Sequence, residues 1–155
     1  MTARTTIPDT HLDILEQEYL AIVSTIRHQD GLISSNPVSI DWDGQYLRFS
    51  TLKQRVKYRN LQANPQITVC ITSSKDSTRY IEIRGTAELS DDPGATFQRA
   101  MWKRFTGEDE FNFDPPGAER VIVKVVPLQV SAPSLYGGQM TAYTPEYAQQ
   151  RSEES

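Results

Sequence analysis

The chain has 155 residues, of which 37% are hydrophobic and 23% charged, with a net charge of -4. That composition suits one soluble domain with a real core and speaks against a disordered chain or a general nucleic-acid binder. A lone cysteine, Cys70, cannot close an intramolecular disulfide, and no run approaches the roughly 20 apolar residues of a membrane span.

Met1 to Pro8 lacks the apolar stretch of a secretory signal, so a cytoplasmic location is expected. A short amphipathic helix follows, with Asp9 or Thr10 as its N-cap and Leu12, Leu15 and Tyr19 at helical spacing. Leu20 to Ile26 reads as a strand, and His28 to Gly31 as a turn. A second strand runs from Leu32 to Trp42. Asn36-Pro37 in its middle predicts a bulge or a sheet edge, because proline has no N–H for the ladder.

Asp43-Gly44 is a hairpin turn, and Tyr46 to Thr51 a third strand with Leu47 and Phe49 on one face. Lys53 to Asn64, ended by Pro65, reads as a helix. The β-branched run Ile67 to Thr72 is a fourth strand, and Ser73 to Thr78 a polar turn. From Arg79 to Leu89 the alternation puts Ile81, Ile83, Ala87 and Leu89 on one face, while Gly85 marks a bend or a close backbone approach.

Pro93 opens a helix that runs from Gly94 to about Phe105, with Trp102 and Phe105 expected to pack it on the barrel. The stretch 103–116, with Phe111 and Phe113 among acidic residues, reads as a lid or a dimer contact. A last strand runs from Arg120 to Val130. About six strands joined mainly by hairpins, with about three small helices, make a mainly β antiparallel barrel the best architecture. Residues 1–140 are expected to form a single domain, and 141–155 a partly flexible tail; Tyr136-Gly137-Gly138 could close a turn over a ligand.

Two histidines and one cysteine do not make a usual zinc site, and neither glycine-rich phosphate loop is present. His11 and His28 lie in no nucleophile motif and read as a first-turn and a turn residue. Cys70 reads as a small packed residue. The informative stretch is 49–65. A strand ends in Ser50 and Thr51, and Lys53, Arg55, Lys57 and Arg59 follow, paired at i,i+4 spacing. Hydroxyls beside a cationic helix opening make an anion site. The same charges could instead form a solvated helix face.

This strand-hydroxyl-Arg-x-Lys-helix-Asn-Pro order resembles the phosphate signature of the pyridoxamine 5′-phosphate oxidase-like, FMN-binding split barrels. Ser35-Asn36, Arg55-Val56-Lys57-x-Arg59-Asn60-Leu61, and Tyr80 with Arg84-Gly85-Thr86-Ala87-Glu88-Leu89 look closest to the branch that uses the deazaflavin coenzyme F420. The resemblance runs from about Leu12 to Tyr136. It implies a Greek-key antiparallel split barrel and a homodimer with the cofactor at its interface. It further implies phosphate held by Ser50, Thr51, Arg55 and Lys57, and a ring beside Ser35, Asn36 and Pro37. Lys53 and Arg59 would meet the cofactor's acidic tail. Tyr80 is left as a catalytic candidate that lines the substrate pocket or stacks on the ring, or as a member of a cross-strand aromatic pair. The activity implied is hydride transfer from reduced F420 to an electron-poor unsaturated small molecule. FMN oxidoreduction on the same fold, and non-catalytic storage or sensing of a flavin or haem, are the alternatives.

Overall fold

A computed structural model describes residues 4–136; Gly137, Gly138 and the 141–155 tail lie outside the described residues. Seven strands form one antiparallel sheet in the order β2-β1-β5-β6-β7-β4-β3. They are β1 (Leu20–Ile26), β2 (Ile33–Ser39), β3 (Asp41–Trp42), β4 (Leu47–Leu52), β5 (Gln66–Thr72), β6 (Tyr80–Asp91) and β7 (Arg120–Ser131). The sheet curls until β2, at one end, returns toward β4, near the other. This is the split-barrel architecture, with three small helices on its outside: α1 (Leu12–Gln17), α2 (Val56–Ala63) and α3 (Thr96–Thr106).

The inward face is the one that the alternation in β4 and β6 picks out. Leu47, Phe49, Ile81 and Ile83 are fully buried, and they meet Val69 and Ile71 from β5 and Val123 and Val125 from β7. Burying several branched side chains of this size, at about 1.5–3 kcal/mol each, is what offsets the entropy of ordering so long a sheet. No helix among the described residues is long and apolar enough to cross a membrane.

Four local expectations need correcting. The single second strand is two. Its β2 part pairs with β1, its β3 part pairs with β4, and the buried Ile40 between them donates its N–H to Tyr19 O at 3.0 Å. One extended segment therefore steps from one end of the sheet to the other. For Pro37, by contrast, one of the two expected alternatives is found, the sheet edge: β1 and β2 stay in register from Leu20↔Ser39 to Ile26↔Ile33. An edge strand tolerates the missing N–H because its outer side has no ladder to complete.

Helix α2 begins at Val56, three residues later than expected, because Lys53 N–H is held by Glu119 O and Arg55 N–H by Leu52 O. A 3₁₀ turn, Pro93–Ala95, precedes α3, with both Gly94 and Ala95 at positive φ. Helix α1 follows another such turn, and neither Asp9 nor Thr10 caps it with its side chain.

Gly85 has both of the roles expected of it. The β6–β7 register shifts between Arg84 and Gly85, and a Cβ there would lie 2.2 Å from the carbonyl oxygen of Val126. The strands can approach only because that residue has no side chain.

Candidate anion site at the split of the barrel

The curl of the sheet leaves a gap where β2 faces the end of β4. A pocket of about 180 Å³ opens there, lined by Pro37, Val38 and Ser39 from β2, Ser50 and Thr51 from β4, Arg55 and Lys57 at the opening of α2, Gln98 from α3, and Arg120 from β7. Strand β4 delivers both hydroxyls at its end: Thr51 takes the buried position that follows Leu47 and Phe49, and Ser50 the half-buried position before it. Thr51 is 3% exposed, and its Oγ1 has no hydrogen-bond partner. A buried unsatisfied hydroxyl costs about 1–3 kcal/mol unless something arrives to bond it.

The cations tell the same story. Lys57 is half-buried with its Nζ 5.5 Å above the Phe49 ring, and no carboxylate pairs with it among the described residues. Burial, and then the neighbouring positive charge of Arg55, push its ammonium down to about 8. A lysine in that state gains from any anion beside it. Helix α2 starts without a side-chain cap, so the free amides of its first turn add to the positive end.

Helix α2 is held at the angle the pocket needs by Asn60, which is buried. Its Oδ1 accepts the His28 N–H at 3.0 Å, and its Nδ2 donates to Thr25 Oγ1 at 3.1 Å. Leu61 beside it is core. The Asn60-Leu61 part of the recognised signature is thus a bolt between α2 and β1, and the Arg55-x-Lys57 part is what it positions. Helix α3 is fixed similarly: Asp92 accepts the N–H groups of Phe97 and Gln98 at 2.9 and 3.2 Å, and Arg104 pairs with Asp41 at 2.5 Å.

Of the residues singled out from sequence, Pro37, Ser50, Thr51, Arg55 and Lys57 line this one pocket. Lys53 does not. It lies in the wall of an adjoining hollow of about 410 Å³, where it pairs with Asp91 at 3.0 Å and Glu119 at 3.2 Å. Arg59 is exposed on α2 outside the pocket. On β2, Ser35 is exposed and shares a 2.7 Å hydrogen bond with Ser24, while Asn36 is half-buried with Oδ1 unpartnered. Tyr80 is half-buried and lies opposite Thr72, so the cross-strand aromatic pairing is not found.

His11 is buried and bonded to Pro133 O at 3.0 Å; His28 accompanies Asn60. Cys70 is half-buried, and burial followed by the charge of Glu82 pushes its thiol up, away from reactivity. In α3 the buried residue is Met101. Trp102 instead packs on Phe111 and Phe113, and Phe105 lies against Tyr19.

Four pocket residues escaped the sequence reading: Val38 and Ser39, next to Pro37 on β2, and Gln98 and Arg120. Gln98 and Arg120 come from elements far along the chain, and strand pairing is what brings in Arg120: Leu52 lies opposite it across the β4–β7 ladder. Isolated cations at the start of a strand carry no local signal.

Comparison with known proteins places this geometry. The sequence pattern described as pyridoxamine 5′-phosphate oxidase matches residues 7–132. A solved structure described as an F420 reductase is 33% identical, with a TM-score of 0.70, and the match covers 81% of this chain and 98% of that one. A structure of a pyridoxamine 5′-phosphate oxidase homologue from Listeria innocua is 26% identical, with a TM-score of 0.62 over 80% and 95% of the two chains. A FAD-binding protein from Mesorhizobium loti, 18% identical with a TM-score of 0.59 over 85% and 97%, shares the fold alone. No curated protein matches the sequence.

Proposed function

The chain belongs to the pyridoxamine 5′-phosphate oxidase family, and from that premise we propose that it is an oxidoreductase that seats the phosphate of coenzyme F420 in the pocket between β4, α2 and the β2 edge. The observation that carries this reading is an incomplete set of partners. Thr51 Oγ1 is buried with nothing to bond, and the Lys57 ammonium is depressed to about 8 by burial and by Arg55. A phosphate satisfies both, accepting from the hydroxyl and neutralising the paired cations.

Ser50 and Thr51 donate to the phosphate, and Arg55 and Lys57 carry its counter-charge. Ser35, Asn36 and Pro37 offer the ring a free strand edge, whose outward backbone groups belong to no ladder. Bound there, the reduced deazaflavin would supply a hydride to an electron-poor unsaturated small molecule, with the balancing proton coming from solvent or Tyr80. The chain's own part is to orient the two reactants and keep water from between them. The choice of deazaflavin is supported by the 33% identical F420 reductase.

A second reading, FMN in the same pocket, is favoured by one observation. Lys53, a cation that an acidic tail would need, is already paired with Asp91 and Glu119. Haem storage has less to stand on, since both histidines are engaged in other bonds.

The cofactor site is completed by a second copy of the chain. Leu20, Ile22, Ile33 and Leu128 are 50%, 46%, 74% and 59% exposed on the open parts of β1, β2 and β7, an apolar surface of the sort that subunits cover. Light scattering is expected to give a dimer mass.

Titration with F420 and with FMN, followed by a screen of electron-poor acceptors, tests the whole reading. The account expects tighter binding of F420 and hydride transfer to at least one acceptor. Tighter binding of FMN transfers the reading to the flavin, and binding with no transfer to any acceptor transfers it to storage.

A further inference from the structure

Arg120 stands at the junction of the anion pocket and a part of the chain that no function has yet absorbed, the aromatic stretch that includes Phe111, Phe113 and Asp114. Its guanidinium is nearly buried, with a side-chain exposure of 12%, against 20% for Asp114. Nε donates to Asp114 Oδ2 at 2.8 Å and Nη2 to Asp114 Oδ1 at 2.6 Å; Nη1 donates to Ser50 Oγ at 3.3 Å. The Phe111 ring lies 5.4 Å from its Cζ.

A guanidinium has five N–H groups in one plane. The carboxylate takes the side edge, one hydrogen each from Nε and Nη2. With one Nη1 hydrogen on Ser50, the second Nη1 hydrogen and the remaining Nη2 hydrogen are then left for the pocket that Arg120 lines. Ser50 adds to this. By accepting from Arg120 it leaves its own hydroxyl proton free to donate to a third group.

We infer that Arg120 is a further ligand of the bound anion, with Asp114 and Phe111 as its positioning residues, so that the segment from Phe111 to Asp114 belongs to the binding site. This rests on the proposal that the pocket holds a phosphate, and goes beyond it in assigning the residue and the segment. The planar fork suits a tetrahedral oxyanion better than a point charge would, because two parallel N–H groups can meet two oxygens. Asp114 restricts the fork to the orientation that faces the pocket. Phe111 packs on Trp102 and Phe113, at ring separations of 5.5 Å each. An anion that pulls on Arg120 is therefore felt at Trp102.

The test uses inorganic phosphate, which does not absorb where tryptophan emits, in buffers matched in ionic strength with chloride. Affinity is read by calorimetry and the response by Trp102 emission in a Trp42→Phe background. The expected result is an emission change that saturates with binding. Arg120→Lys is expected to weaken phosphate about tenfold and to abolish the emission change. Lys57→Gln is expected to weaken binding but keep the full emission change at saturation.

Asp114→Asn decides the positioning role by sign. Removing a carboxylate near an anion should tighten binding if Asp114 merely competes for Arg120; weaker binding, by about threefold, is expected if it orients the fork. Wild-type affinity in a folded Arg120→Lys protein, no emission change in the parent, or tighter binding in Asp114→Asn would overturn this inference alone. If the parent bound neither phosphate nor F420 nor FMN, the proposed function would fall with it.

Discussion

Two hollows lie side by side at the end of β4, sharing Arg120 in their walls, and they differ in how their lysines are compensated. In the larger one Lys53 meets Asp91 and Glu119, so its charge is compensated by the fold itself. In the smaller one Lys57 has the positive charge of Arg55 as its neighbour and pairs with no carboxylate among the described residues, and Thr51 Oγ1 is left without a partner. Lys53 and Lys57 stand at helical spacing in the sequence yet go to different hollows, and volume would choose the wrong one. What marks this site is that the deficit of partners coincides with uncompensated positive charge, which an arriving anion would complete.

The comparison is broken most strongly at Lys57. Lys57→Ala is expected to weaken cofactor binding about 100-fold, the loss typical of a charge-assisted bond in a partly buried setting. The same position sharpens the comparison through stability. Lys57→Met should raise the stability of the ligand-free protein by about 1 kcal/mol after solvent screening, a shift of about 2–4 °C in melting temperature. Thr51→Val removes the orphaned hydroxyl at constant shape. About tenfold weaker binding with equal or slightly greater ligand-free stability is expected, measured by titration and thermal melting.

A smaller effect is predicted from pH. Lys57 is pushed down to about 8 from its ordinary 10.5, so between those values the unfolded chain holds more proton than the folded one. Stability of the ligand-free protein should therefore rise from about pH 8 toward 10.5, as this penalty disappears. Binding should weaken over the same range. Near pH 8 it should take up a proton, visible as a dependence of calorimetric heat on the buffer's own ionisation. The least effect is expected at Lys53. Lys53→Ala should leave cofactor affinity within about threefold, since its charge is already spoken for. A large loss there would erase the distinction between the two hollows and restore the acidic-tail role.

Much of this architecture can be read along the chain, because the alternation in β4 and β6 and the glycine at the bulge are local consequences of which side faces the core. The anion pocket is half legible for the same reason: Ser50, Thr51, Arg55 and Lys57 lie within eight positions of one another. What could not be read depends on closure of the sheet. The division of β2 from β3 at Ile40, the late start of α2, and the arrival of Arg120 and Gln98 all follow from pairings between distant segments. Lys53 shows the reverse error. Its spacing from Lys57 implies a shared helical face, but one backbone bond to Glu119 keeps it in the turn before the helix.

The most direct test of the account is the structure of the complex with coenzyme F420. The phosphate is expected in the gap between β2 and β4, with its oxygens at about 2.7–3.0 Å from Lys57 Nζ and Thr51 Oγ1. A phosphate bound instead in the larger hollow beside Lys53, with Thr51 still unpartnered, would contradict it.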